Sequence, residues 1–98
     1  MTTTYYIAYE SKKSNGVKVW YESKHYDNAD QANEFFQKKV KDGRTTEAHL
    51  WKCDVWTDPN DIPFDTTTNR QPGGWYRKNP IASYNPQIFS GVKIWDIE

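Results

Sequence analysis

TYYIAYESKKSNGVKVWYES, residues 4–23, decides how the chain begins to fold. Residues 5–9 and 17–21 are dominated by aromatic and β-branched side chains, which suit a pleated, half-buried surface. Between them Asn15-Gly16 carries the strongest short hairpin signal, because both residues tolerate positive φ. The stretch predicts an antiparallel hairpin with strands over 4–11 and 16–23.

Working outward, a helix follows. Asp27 or Asn28 can cap it, and Asn28 with Gln31 has the spacing of a capping box. Ala29, Ala32, Phe36 and Val40 share one helical face, with Phe35 beside them. Asp30 and Glu34 come early and Lys38, Lys39 and Lys41 late, as the helix dipole favours. Gly43 is the expected left-handed stop. The three lysines read as a solvated helix end rather than a phosphate site. Residues 45–57 predict a long third strand, with Ala48, Leu50, Lys52, Asp54 and Trp56 on one face. Glu47, His49, Trp51, Cys53 and Val55 lie on the other. Residues 89–97 predict the last strand, with Val92 and Ile94 on one face and Trp95 and Ile97 on the other.

Residues 58–88 differ in kind. All of Pro59, Pro63, Pro72, Pro80 and Pro86 fall here, and no period persists. Ile62, Phe64, Trp75, Tyr76, Ile81, Tyr84 and Ile88 argue against disorder. The segment reads as an irregular, partly packed excursion, with Gly73-Gly74 turning a short hairpin. The expected fold is α+β: a ββαβ(β) antiparallel four-stranded sheet, order 2-1-3-4, with one helix on one face. It forms a single domain over residues 1–98, as this length allows.

Composition narrows the function. Five Trp, seven Tyr and four Phe can build a core on rings, each burying roughly 150–250 Å². Thirteen basic and thirteen acidic residues cancel, whereas a duplex-DNA binder carries positive excess. Locally, Asp58, Asp61 and Asp65 run into Arg70, Arg77 and Lys78. The single Cys53 allows no internal disulfide. The absence of a basic-then-apolar leader or a long apolar run makes a cytoplasmic protein the expectation, with no membrane.

Catalytic and metal signals are missing. His49 and Cys53 share a strand face but lie roughly 13 Å apart at about 3.3 Å per residue, too far to cooperate. His25 has no evident ligand set for zinc. The aspartates between 54 and 65 are interrupted by prolines and read as turn formers; no calcium-loop glycine or terminal glutamate accompanies them. Gly73-Gly74 lacks the Lys-Ser/Thr of a phosphate loop. No enzyme, cofactor or metal is expected.

The remaining class is binding. Large apolar groups lie on both faces of the predicted sheet: Tyr5, Ile7 and Tyr9 against Tyr6 and Ala8, Leu50 and Trp56 against Trp51 and Val55. One helix covers only one face, so the second needs the excursion as a lid or another chain as cover. Trp, Tyr and Arg dominate protein hot spots, and Trp75-Tyr76-Arg77 holds all three. The expected partner-binding residues are Arg70, Trp75, Tyr76, Arg77 and Lys78, with Trp20 and Trp51 as sheet-face candidates. The leading expectation is a non-catalytic module that binds a protein, with a homo-oligomer as one form of cover. The alternatives are a module stacking single-stranded nucleic acid or a nucleotide on its rings, and a small structural subunit of an assembly. In general character the chain resembles small accessory proteins of bacteriophages, which implies binding and inhibiting a host defence protein in the host cytoplasm.

Overall fold

The computed structural model describes residues 1–95; the expected strand position of Ile97 lies outside them. In chain order the elements are β1 (Thr2–Lys12), β2 (Lys18–Glu22), α1 (Ala29–Lys41) and β3 (Thr45–Trp56). A 3₁₀ turn (Pro59–Asp61) follows, then β4 (Asn69–Gln71), β5 (Gly74–Tyr84) and β6 (Val92–Ile94). The fold is α+β, with one helix and an antiparallel sheet among the described residues.

The sheet has six strands rather than four, in the order β2-β1-β3-β5-β4, with β6 also paired to β5. The place beside β3 belongs to β5, not to the final strand. Residues 74–84 therefore correct the reading of an irregular excursion. Two features hide β5 in the sequence. The register shifts between Leu50↔Ala82 and Trp51↔Pro80, so Ile81 has no partner and the alternation breaks. Pro80 falls at that bulge, where a missing N–H is tolerated.

The N-terminal hairpin forms as expected, with a different turn. Gly16 N–H donates to Lys13 O at 2.9 Å and Lys13 N–H to Val17 O at 2.8 Å. Only Gly16 takes positive φ, at 87°, while Asn15 Oδ1 accepts from Val17 N at 3.1 Å. At the helix, Asn28 Oδ1 accepts from Asp30 N at 2.7 Å and Gln31 N at 3.3 Å. The stop is not Gly43, which lies outside the left-handed region. Extended Asp42 ends the helix. Its Oδ1 accepts from Arg44 N at 3.0 Å and its carbonyl from Thr45 N at 3.0 Å. The aspartate makes the turn, so the glycine's freedom goes unused.

The 13-residue α1 spans about 20 Å at 1.5 Å per residue. The 12-residue β3 spans roughly 40 Å, and the molecule is 48 Å along its longest axis. The helix can back only about half of one sheet face. In that half Ile7, Leu50 and Ala82 form a row across β1, β3 and β5. They join Ala32, Phe36 and Ala48 in the buried core. Ala29, at the start of the helical stripe, is exposed.

The other half holds itself together differently. Asp54 is 1 % exposed; it accepts from Thr3 Oγ1 at 2.7 Å and Arg77 Nη2 at 2.8 Å. The Arg77 guanidinium lies 5.5 Å from the Trp56 ring centre, and Trp56 is buried. Burial alone would raise the Asp54 pKa. The hydrogen bonds from Arg77 and Thr3, with the charge of Lys52, outweigh it and hold the carboxyl below its ordinary value.

The two glycines of residues 73–74 divide their work. Gly73 takes the turn's positive φ, at 90°, after Pro72 presets the position before it. Gly74 has an ordinary φ, but a Cβ there would collide with the Trp56 carbonyl oxygen. The hairpin in this stretch was expected from both glycines turning the chain; Gly74 instead permits a close backbone approach.

Candidate functional site

Strand alternation sorts the side chains of β1, β3 and β5 onto two faces. The helix-free face receives Tyr6, His49, Trp51, Cys53, Lys78 and Ser83, and β2 adds Trp20. The connection after β2 adds His25. That connection is bonded to the β1 edge: Ser23 N–H donates to Ile7 O at 2.8 Å, and Tyr5 and Tyr26 exchange bonds of 2.8 and 2.7 Å. His25 Nδ1 lies 2.8 Å from Thr4 Oγ1.

A continuous stripe of rings and cations results. His25 stacks on Tyr6, with ring centres 4.7 Å apart and planes 18° apart. Lys78 Nζ donates to the Tyr6 hydroxyl at 3.2 Å and sits 4.7 Å from the Trp51 ring centre. Trp51 tilts against His49 at 6.0 Å, and His49 stacks parallel to Trp20 at 6.3 Å. Trp20 is 50 % exposed. Each cation–ring contact of this kind contributes about 0.5–1 kcal/mol at an exposed site, which biases the side chains toward this arrangement.

His49 also anchors a polar chain. Its Nε2 lies 2.6 Å from Glu47 Oε2 and its Nδ1 2.7 Å from Ser83 Oγ. Trp95 Nε1 donates to Ser83 Oγ at 2.8 Å, and Asn85 Nδ2 donates to Glu47 Oε1 at 3.2 Å. Serine, histidine and glutamate stand in line, as in acyl-transfer triads. Ser83 is 1 % exposed, and its oxygen already accepts the Trp95 indole. The trio ties Trp95 to the sheet.

The expected partner-binding residues do not share one surface. Trp75 and Arg77 lie opposite Trp56 and Asp54 and fall on the helix side of the sheet; Tyr76 and Lys78 lie opposite Val55 and Cys53 on the free side. Arg77 is committed to Asp54. Arg70 rests over the Trp75 ring, 5.5 Å from its centre. With Thr57 and Gln71 these two line an open cup of about 650 Å³ at the hairpin tip. Trp75 is half-buried, neither a plug for the free face nor a free anchor. The structure thus joins Trp20, Trp51, Tyr76 and Lys78 on one face and sets Arg70, Trp75 and Arg77 apart from them. The segment expected to act as a lid extends the sheet instead.

Cys53 shares the free face but is buried. Burial first, then the charge of Asp54, raises its thiol pKa, with Lys78 opposing, so it has little thiolate character. Among the described residues no three His, Cys, Asp or Glu side chains converge as a metal set. No helix among them is long and apolar enough to cross a membrane.

Sequence reasoning missed His25, Ser83 and Trp95 as members of this face. His25 depends on edge pairing between residues 5 and 26, which leaves no periodic signal. Ser83 and Trp95 depend on β5 lying beside β3. No family model matches the chain, and no curated protein or solved structure is significantly similar to it.

Proposed function

We propose that the protein is a non-catalytic binding module that recognises a protein partner through its helix-free sheet face, with Trp20, Trp51 and Lys78 at the centre and His25 and Trp95 at the margins. The observation that carries this reading is the ordered ring–cation stripe, half-exposed at Trp20, on a face that no other described element covers. Aromatic anchors held rigid before binding lose little entropy on association. Charge favours a protein over a nucleic acid strand. Glu10, Glu22 and Glu47 lie among the lysines of this face, and a phosphate chain needs an unbroken cationic track. Inhibition of a host protein is the form of this reading that the chain's general character supports.

The test is affinity capture from candidate host lysates with wild type, a Trp20→Ala/Trp51→Ala variant, and an Arg70→Ala/Trp75→Ala variant on the other face. A partner retained by wild type and the second variant, and lost by the first with its fold intact, is the expected result. The same partner captured equally by all three overturns the placement. Salt-sensitive quenching of Trp fluorescence by oligo-dT would transfer the face to single-stranded nucleic acid. Concentration-dependent dimerisation abolished in the first variant would identify the partner as a second copy.

A further inference from the structure

β2 is an edge strand with an open outer side. Val17 O accepts from Lys13 N, and Ser23 N donates to Ile7 O, so residues 17, 19, 21 and 23 turn their backbone groups toward β1. Antiparallel alternation then points the N–H and C=O of Lys18, Trp20 and Glu22 outward. Among the described residues no strand pairs with that side. β6, the last strand described, stands four strand spacings away, about 19 Å at roughly 4.8 Å each, farther than three more residues can reach. Edges of this kind are usually blunted by proline, a bulge or runs of charge. β2 has no proline and no shift of register, and Val17, Trp20 and Tyr21 are exposed along it.

The charges of β2 specify what fits there. Lys18 and Glu22 stand at its two ends, on one face and about 13 Å apart at 3.3 Å per residue, too far to pair with each other. Within the chain Lys18 lies opposite Lys12, a like charge, and Glu22 opposite Ala8. Neither makes an ion pair among the described residues. The strand reads Lys-Val-Trp-Tyr-Glu, and reversed it complements itself. A second copy laid antiparallel about a two-fold axis at Trp20 sets Lys18 opposite the partner's Glu22, and Trp20 opposite its own copy. Both pairings join outward-facing residues, the kind that exchange two backbone bonds, so every open N–H and C=O of the strand is satisfied. On the other face Val19 meets the partner's Tyr21. Opposite charges and aromatic pairs directly across strands both stabilise a sheet. A shift of two residues in either direction breaks both ion pairs.

We infer that β2 is a self-pairing edge: two copies join through Lys18–Glu22, antiparallel and centred on Trp20, into one continuous sheet. The closure is isologous, as a two-fold dimer requires. It brings the ring–cation stripes of two copies end to end through their Trp20 side chains. A strand of five residues buries less than the roughly 1,200 Å² of a standard stable interface, so the dimer is weak and depends on concentration. The pairing uses the strand's edge, not the face proposed above for a partner, and does not rest on that reading.

The experiment measures backbone amide exchange of ¹⁵N-labelled protein from about 50 µM to about 1 mM, the range of weak association, with sedimentation equilibrium on the same samples. The expected result is a dimer in which the Lys18, Trp20 and Glu22 amides slow in proportion to the loss of monomer. The Val19 and Tyr21 amides, already bonded to β1, keep their rates. Lys18→Glu leaves acids at both ends of the edge, and Glu22→Lys leaves bases at both. Each alone is expected to raise the dimer Kd roughly tenfold or more. Mixed in equal amounts, the two variants pair with each other, which also shows that both are folded. Edge amides indifferent to concentration up to about 1 mM overturn self-pairing and leave the edge to a foreign strand. A dimer that forms while those amides stay open, or variants that fail to pair when mixed, overturns it as well. None of these failures touches the role proposed for the sheet face, which is read by capture of a partner.

Discussion

The two halves of β3 obey one alternation and reach burial by different means. In the first half Ala48 and Leu50 turn toward α1 and disappear under Phe36 and Ala32. In the second half Asp54 and Trp56 point to the same side, beyond the helix's reach, and are buried as deeply. There an arginine from β5 bonds the carboxylate and lies over the indole, and Thr3 bonds the carboxylate from β1. Beyond the helix's reach, a charge pair and a cation–ring stack therefore contribute what α1 supplies in the first half. The cost is dependence on a few atoms. The apolar half can relax around a defect; the charged half cannot relax around a missing partner.

The largest expected effect tests the apolar half. Phe36 is fully buried, and Phe36→Ala is expected to destabilise by about 3–5 kcal/mol, read as a fall in the urea midpoint. Next comes the charged half. Arg77→Met leaves Asp54 buried and uncompensated, at an expected cost of about 2–4 kcal/mol, below the deepest buried pairs because solvent reaches the guanidinium. Adding Asp54→Asn should recover much of that loss, since the neutral amide still accepts from Thr3. If the two losses simply add, the pair is not what closes this half.

Acid separates the halves further. The folded Asp54 pKa is depressed, so its contribution is complete above the unfolded value, about 3.9. It is lost as pH falls below that through the folded value. Urea midpoints measured from pH 6 to pH 2 should drop more steeply in wild type than in Asp54→Asn. An identical acid limb in the two proteins would remove the carboxylate from the account.

What the sequence disclosed follows the same division. The hairpin, the helix and the two faces of β3 were legible because turn residues, caps and apolar periods act locally. Ala48 and Leu50 advertise a helix-backed strand. Arg77 does not advertise a structural role, because its partner lies 23 residues away and a basic residue beside Trp75 and Tyr76 looks like a surface anchor. The strand containing it was hidden by Pro80 and the unpaired Ile81, both symptoms of a bulge that only pairing with β3 reveals. The free face was half legible: alternation placed Trp20 and Trp51 there. Lys78, Ser83 and Trp95 arrive only through the same β3–β5 register.

Gly74 tests that register at its end. Gly74→Ala puts a methyl against the Trp56 carbonyl, and the backbone must shift; overpacking of this kind costs about 1–3 kcal/mol. Gly73→Ala at φ 90° strains the turn by a similar amount, but leaves the strand contact alone. The two should differ in where they act. Amide exchange near Trp56 and Trp75 should quicken in Gly74→Ala, and only the turn amides should respond in Gly73→Ala.

The smallest stability effect carries the most functional information. Trp20 lies on the edge strand β2, half-exposed and stacked on His49, and its indole N–H makes no hydrogen bond among the described residues. Trp20→Ala removes one offset stack, a loss of about 0.5–1 kcal/mol, and leaves the core row of Ile7, Leu50 and Ala82 untouched. If the ring served the fold, the change would approach the cost of Phe36→Ala. If it serves recognition, thermal stability shifts by only a few degrees while partner affinity falls by a factor of ten or more, the mark of a hot spot at about 1.4 kcal/mol per tenfold. Measuring both on the same variant distinguishes a ring that completes the sheet from a ring that the sheet presents.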